Sequence, residues 1–282
     1  GLYHIYSDIS SFPTEISDFL LIYQSYLCYQ LSRYYNNYGD DYMNEKIERL
    51  NEMVKSCNHI VFFGGAGVST ESNIPDFRSA DGLYHQKYKY SPEQVVSHTF
   101  FMRYPEVFYD FYKEKMMYLD AKPNPAHLKL AELEKAGKLS AIVTQNIDGL
   151  HQAAGSKNVL ELHGSIHRNY CMKCHKTYSA YDVKHADGVP HCDCGGVIRP
   201  DVVLYEESLD SNVIQQSIQA ISEADMLIIG GTSLVVYPAA SFIDYFHGKY
   251  LVVINMDSTS RDSMADLVIH EPIGKVMEQI HI

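Results

Sequence analysis

Residues 144 to 148 read Thr-Gln-Asn-Ile-Asp and follow directly on the apolar run Ala141-Ile142-Val143. Four hydrogen-bonding side chains, Thr144, Gln145, Asn146 and Asp148, thus crowd the end of an expected buried strand. Burying such groups without partners costs about 1–3 kcal/mol each, so they need something to hold. Asn and Asp together offer a donor and an acceptor, the combination that reads a carboxamide. Asn-Ile-Asp-Gly is also good turn chemistry, and a strand-to-helix turn with an Asx cap would account for part of it. His163, in Glu-Leu-His-Gly-Ser, stands at the end of another apolar run. Imidazole is the side chain most easily poised for proton transfer near neutral pH. His151, His167 and His247 lack that combination and read as structural.

A second group surrounds Phe62-Phe63-Gly64-Gly65-Ala66-Gly67, which runs into Ser69 and Thr70. A glycine-rich turn between a strand and a helix lets backbone amides approach a phosphate. The usual dinucleotide fingerprint has glycine where Thr70 stands, so a plain glycine turn competes with this reading. The next segment, Ile-Pro-Asp-Phe-Arg-Ser, offers Asp76, Phe77 and Arg78 as an acid, a ring face and a guanidinium beside that turn. A structural Arg–Asp pair is the alternative there. Gly230, Thr232 and Ser233 end a later apolar run, and Asn255, Met256 and Asp257 end the one after it. Their hydroxyls and amides suit a phosphate, a ribose or an adenine, each only weakly on its own.

Four cysteines form two close pairs, Cys171-x-x-Cys174 and Cys192-x-Cys194, while Cys28 and Cys57 stand apart. Two pairs of thiolates suit one tetrahedral zinc at ~2.3 Å per Zn–S bond, and four protein ligands leave no open position, so the metal is expected to be structural. Thiols so close together in a long chain favour metal binding in a reducing compartment over a disulfide framework, hence a cytoplasmic protein.

These groups need elements to carry them. Apolar runs at 59–65, 140–146, 158–164, 202–205, 226–232, 250–256 and 266–270 are continuous rather than alternating, as in strands buried on both faces of a parallel sheet. Helical patterns lie between them, for example 125–137 with Pro125 at its start and Gly137 at its end. The expected class is α/β, a Rossmann-like doubly wound parallel sheet, with a smaller inserted lobe. Residues 44–80, 122–168 and 201–282 are expected to build the sheet domain. Residues 81–121, aromatic and helical, and 169–200, the cysteine ribbon, are expected to build the lobe. Residues 1–43 hold nine of the 23 tyrosines and are set apart as an extension, with the fold expected to begin near Met43. A net charge of −12 argues against non-specific or direct nucleic-acid binding, since a polyanion rewards a basic surface, yet suits basic peptides. No apolar run approaches the ~20 residues of a membrane span, so no membrane partner is expected. Oligomeric state is not legible.

Together "GAGVST", "IPDFR", "TQNIDGLH", "LHG", the cysteine quartet, "RPDVVLYEE" and "GTSLVVYPA" resemble, in order, the sirtuins, the NAD-dependent protein deacylases, over about residues 44 to 282. The resemblance implies that NAD and an acyl-lysine peptide enter a cleft between the lobes. It implies that Gly65, Ala66, Gly67, Ser69, Thr70, Asp76, Phe77 and Arg78 line the NAD loop. Gln145, Asn146, Ile147 and Asp148 would shape the nicotinamide and ribose pocket. Gly230, Thr232, Ser233, Asn255 and Met256 would hold the phosphates and the adenosine end. Ile147, Asp148, Val202, Val203 and Tyr205 would lie along the peptide. His163 would be the general base, supported by Asn146 and Asp148. Lysine would be released, with nicotinamide and an O-acyl-ADP-ribose.

The chain departs from the family in two places. The peptide segment, often Phe-Gly-Glu, reads Tyr205-Glu206-Glu207. Members that remove succinyl or malonyl groups carry Tyr-x-x-Arg; the nearest match here is Tyr112 with Lys115, a point charge without arginine's fork. Acetyl is therefore favoured, with an acidic acyl group as the alternative. The competing functions are a mono-ADP-ribosyltransferase on the same site, a zinc-ribbon binding module, and a conventional NAD dehydrogenase.

Overall fold

A computed structural model describes residues 41–76 and 90–282. Two compact units are present: the first contributes residues 41–49, which are helical, and the second is Leu50–Ile282. The expected extension lies largely outside the described residues.

The strands are β1 (Ile60–Gly64), β2 (Leu139–Thr144), β3 (Val159–Glu161), β4 (Gly164–Cys171), β5 (Thr177–Tyr178), β6 (Ile198–Val202), β7 (Met226–Gly230), β8 (Tyr250–Ile254) and β9 (Leu267–Ile269). The helices are α1 (41–56), α2 (Pro92–Val95), α3 (His98–Arg103), α4 (Pro105–Lys115), α5 (Pro125–Lys135), α6 (Leu150–Ala154), α7 (Ala180–His185), α8 (Ser211–Glu223) and α9 (Ile273–Met277). Six strands form one sheet in the order β3-β2-β1-β7-β8-β9, and every pairing in it is parallel. β1 and β7 are buried at all five positions, which is why their apolar runs do not alternate. The chain leaves β1 toward β2 on one side and later returns as β7 on the other. This reversal of strand order creates a crevice beyond the carboxyl ends of β1 and β7.

The second sheet is antiparallel, β5-β4-β6. It corrects one expectation. The run 202–205 is not a strand of the parallel sheet: Val202 ends β6, and Tyr205 makes an isolated parallel bridge to Ser97. The run 158–164 also divides, because β3 stops at Glu161 and Gly164 already opens β4 in the other sheet. Gly164 sits at φ +77, and a Cβ there would lie 1.9 Å from the Asp201 carbonyl oxygen. Only glycine lets the chain pass this closely from one sheet to the other.

The aromatic helices and the cysteine ribbon share one core. Phe101, Phe108, Tyr109 and Tyr112 pack with Ile166, Val183, Ile198 and Val202. Tyr109 seals this contact by donating its hydroxyl to the Ile198 carbonyl. Lys113 does the same from the polar side, donating to the Ala186 and Gly188 carbonyls, each at 2.6 Å.

Candidate active site

The turn after β1 and the turn after β7 are bonded to each other. Gly67 donates its N–H to the Gly231 carbonyl at 2.8 Å, and a Cβ at Gly67 would come within 2.8 Å of the Gly231 Cα. A Cβ at Gly65 would likewise meet Thr232 at 2.9 Å. These glycines therefore serve loop-on-loop contact at the switch point. Gly230 accepts the Gly65 N–H at 3.3 Å, and a Cβ there would meet Ile273 at 2.3 Å. Ala66 and Thr70 are exposed on the rim of the crevice, and Ser69 is buried beneath them.

Ser69 is the centre of a short chain of side chains. It donates its hydroxyl to Asp148 Oδ2 at 2.7 Å and accepts from Asn146 Nδ2 at 3.1 Å. Asp148 Oδ1 accepts the Leu150 N–H at 2.9 Å, which is the Asx turn anticipated for this run. Gln145 donates its amide to Thr232 Oγ1 at 3.2 Å, so the β2 and β7 ends are joined as well. Thr144 Oγ1 accepts the Asn146 N–H at 3.0 Å. All four polar groups of the opening cluster have partners, and the partners lie on three different strand ends.

His163 faces this cluster from the crossing between the sheets. Its Nδ1 is 3.0 Å from the Gln145 carbonyl oxygen. A carbonyl only accepts, so Nδ1 carries the hydrogen and Nε2 keeps a lone pair. Burial pushes the imidazole below its ordinary pKa, and the bond to Gln145 only partly offsets this. A neutral ring with a free Nε2 is the form that can take a proton.

The remaining expected residues are placed less uniformly. Asp76 is the last described residue before the gap, and Phe77 and Arg78 fall outside the described residues. Ser233 and Met256 are exposed, and the Asn255 amide donates to the Asp257 carbonyl at 2.8 Å. Ile147 packs against the smaller core. Val202 does not face outward: it is 5% exposed and belongs to that core. Val203 donates its N–H to the His163 carbonyl at 3.0 Å. Tyr205 presents its ring, 46% exposed, while its N–H donates to Val96 and its carbonyl accepts from His98. Tyr112 departs from expectation: it is fully buried, stacked on Phe108, with its hydroxyl unpartnered. Lys115 instead pairs with Glu114 at 3.2 Å.

Three groups around the site escaped the sequence reading. Asn124 caps α5 and reaches back to the Val68 carbonyl at 2.7 Å and Ser72 Oγ at 3.0 Å, pinning the β1 turn from below. The Asn-Pro pair at a helix start was its signal. His127, in the same first turn, packs against His151 with the rings tilted at 60° and their centroids 4.8 Å apart. Burial holds these rings at pKa values of about 4 and about 3. Glu207 accepts from Arg199 at 2.5 Å, from His98 Nδ1 at 2.7 Å and from the Leu204 N–H at 2.9 Å.

The cysteines Cys171, Cys174, Cys192 and Cys194 converge, with all four sulfurs within 4.8 Å of one another. Cys171 and Cys194 are 3.4 Å apart, and Cys174 and Cys192 are 3.6 Å apart. Four sulfurs held ~2.3 Å from one zinc would be separated by ~3.8 Å, so the set fits that ion. The Lys173 and Cys174 amides already point at the Cys171 sulfur, at 3.3 and 3.5 Å.

A family model described as the Sir2 family matches residues 65–238. An NAD-dependent protein deacetylase of Clostridium perfringens is 63% identical over 242 residues, covering 84% of this chain and 99% of the relative. One of Clostridium acetobutylicum is 61% identical over 240 residues, covering 84% and 98%. Among solved structures, a Sir2 with a p53 peptide and NAD+ superposes with a TM-score of 0.73 at 39% identity, covering 83% of this chain and 96% of the other. A Sir2 with a deacetylated p53 peptide and 3'-O-acetyl ADP ribose gives 0.75 at 39% identity with the same coverage.

Proposed function

The chain belongs to the Sir2 family, and from that membership we infer that the crevice at the strand-order reversal is the catalytic centre of an NAD-dependent protein lysine deacetylase. The observation that carries this reading is the convergence of His163, with Nε2 left free, on the Asn146–Ser69–Asp148 chain. NAD, when bound, supplies a ribose carbon that nicotinamide leaves and the acyl oxygen of lysine takes, so that the acetyl group ends on ADP-ribose.

The chain's residues would divide the work as follows. Asn146 and Gln145 present amides to the carboxamide and ribose; Ser69, held by Asp148, fixes the first and Thr232 the second. Gly65, Ala66, Gly67, Ser69 and Thr70 hold the phosphates with Thr232 and Ser233, while Asn255 and Met256 take the adenosine end. By the family resemblance, Asp76, Phe77 and Arg78 would belong to the NAD loop. His163 Nε2 accepts a proton from a ribose hydroxyl, and the Gln145 carbonyl keeps the ring turned to do so. Val203 and the Tyr205 ring border the acyl-lysine peptide, with Ile147 and Asp148 opposite. The zinc holds the ribbon and takes no part in the reaction. The sheet segments 44–80, 122–168 and 201–282 act as one lobe, and 81–121 with 169–200 as the other.

Acetyl is the favoured group. An acidic acyl chain would need Tyr112 and Lys115 to meet it, and Tyr112 is sealed in the core while Lys115 is engaged by Glu114. No described helix is long and apolar enough to cross a membrane. Four closely spaced thiols favour the reducing environment of the cytoplasm.

Mass spectrometry of an acetyl-lysine peptide, incubated with and without NAD, tests the function. We expect NAD-dependent loss of the acetyl group and formation of O-acetyl-ADP-ribose. Loss of a general base typically costs ~10²–10⁴-fold, so His163→Ala is expected to turn over below detection while keeping its zinc. ADP-ribose attached to protein, with the peptide still acetylated, would instead establish a mono-ADP-ribosyltransferase.

A further inference from the structure

Strand β4 departs from β6 at one place. Ser165 lies opposite Asp201 and Asn169 opposite Pro200, so one step along β6 is matched by four along β4. Ile166, His167 and Arg168 are left outside the ladder as a bulge. Bulges recur beside active sites, where they re-aim side chains. All three residues of this one reach beyond their own strand.

Ile166 donates its N–H to the Ile147 carbonyl at 3.0 Å. His167 Nε2 lies 2.9 Å from the Asp148 carbonyl oxygen and must be the donor. Its ring stands over Gly149, where a Cβ would come within 2.6 Å of it. Arg168 divides its guanidinium, Nη1 donating to Glu161 Oε2 at 2.6 Å and Nε to Asp201 Oδ2 at 2.7 Å. Glu161 ends β3 in the six-stranded sheet, and Asp201 lies on β6 in the three-stranded one. The bulge therefore grips the backbone of residues 147 and 148. It is itself anchored to both sheets on either side of the crossing that carries His163.

We propose that His167 is a positioning residue for the deacetylation. Its imidazole holds the Asp148 backbone so that Asn146 and Asp148 keep their alignment on Ser69, and Arg168 aims it by fastening the bulge. This rests on the functional reading above, in which Asn146 and Asp148 serve the reaction. Although Arg168 pairs with Glu161, whose side chain is 9% exposed, His167 and Arg168 are themselves exposed, so their contribution to stability is modest. Their contribution to rate is not, because a displacement of about 1 Å at a reacting geometry can cost ~10²-fold.

The test compares the unaltered protein with His167→Met, His167→Gln and Arg168→Gln. Deacetylation of an acetyl-lysine peptide is measured together with zinc content and urea midpoint. Methionine keeps the length of the side chain without a donor; glutamine keeps a donor. For His167→Met we expect kcat to fall ~10–30-fold, with the peptide KM within about twofold and zinc and midpoint unchanged. His167→Gln should recover to within about threefold of the unaltered protein, and Arg168→Gln should fall between the two. A His167→Met kcat within about twofold of the unaltered protein overturns the proposal, as does a His167→Gln no better than His167→Met. If His167→Met does not fold, Arg168→Gln, assayed where it is fully folded, decides: a lower kcat with zinc content and peptide KM unchanged supports positioning, and an unchanged kcat overturns it. Failure of the unaltered protein to deacetylate would sink the functional reading itself, an outcome distinct from a loss confined to the variants.

Discussion

Burial and one hydrogen bond pull in opposite directions on His163. Burial wins, so the folded protein holds the ring below the ordinary imidazole pKa of ~6.5, and the Gln145 carbonyl decides which nitrogen keeps the hydrogen. The proton acceptor is therefore already free at pH 7, and protonation removes it only at more acid pH. We expect kcat/KM to stay level as pH falls through ~6.5 and to decline below it. A pH profile with its acid midpoint at or above ~6.5 would contradict this placement of the base. Asn146 and Asp148 contribute differently, through the hydroxyl of Ser69.

At the scale of elements, the segment Val202–Glu207 ties the end of β6 to helices α2 and α3. Its backbone is bonded to Val96, His98 and His163, and Glu206 is held at φ +75 with its carboxylate on the Thr99 N–H at 2.8 Å. The family often places glycine at this position. Here glutamate tolerates the left-handed backbone with the help of that bond. Glu207 is the knot. Burial raises its pKa, but the bonds from Arg199, Leu204 and His98 outweigh this and hold it below the usual carboxylate range. Arg199 and Glu207 are 14% and 16% exposed, so removing one partner strands the other's charge. Glu207→Ala is expected to lower stability by on the order of 2–3 kcal/mol, and to raise the KM for peptide more than that for NAD, because the segment that carries Tyr205 loses its bond at the Leu204 N–H. Urea unfolding and steady-state kinetics on both substrates check this; equal stability or a selective rise in the NAD KM would refute it.

Across the whole molecule, two buried imidazoles contribute to the loss of stability in acid. His127 and His151 ionise near 4 and near 3 when folded, in each case chiefly because burial disfavours the charged ring. Unfolded, each takes its proton near pH ~6.5. The unfolded state therefore binds more protons below that pH, and stability drains away as pH falls from ~6.5 toward the folded values. Each ring contributes a slope of about 1.4 kcal/mol per pH unit. Neither nitrogen of His151 has a hydrogen-bond partner, so His151→Leu removes the titration without breaking a bond. The stability lost between pH 7.5 and pH 5 should shrink by roughly 2 kcal/mol in that variant. Urea midpoints at the two pH values would expose an unchanged pH dependence, which would rule the mechanism out.

The local chemistry was written in the chain itself. Runs such as Ile60–Gly64 and Met226–Gly230, short, continuous and ended by glycine, read as strands buried on both faces and are so, and the cysteine spacing needs no fold to point to a zinc. The placement of His163, Asn146 and Asp148 at strand ends was legible for the same reason, because apolar runs stop where polar groups begin. What the sequence could not assign were partners on different elements, whether near or far along the chain. Ser69 as the bridge between Asn146 and Asp148, Arg199 under Glu207, and Arg168 across two sheets are contacts over 77, 79, 8, 7 and 33 residues. Period and propensity describe one segment at a time. Val202 and Tyr112 were turned inward for a similar reason: a valine or tyrosine reads alike at a cleft and in a core, and only the packing of β6 and α4 against each other decided between them.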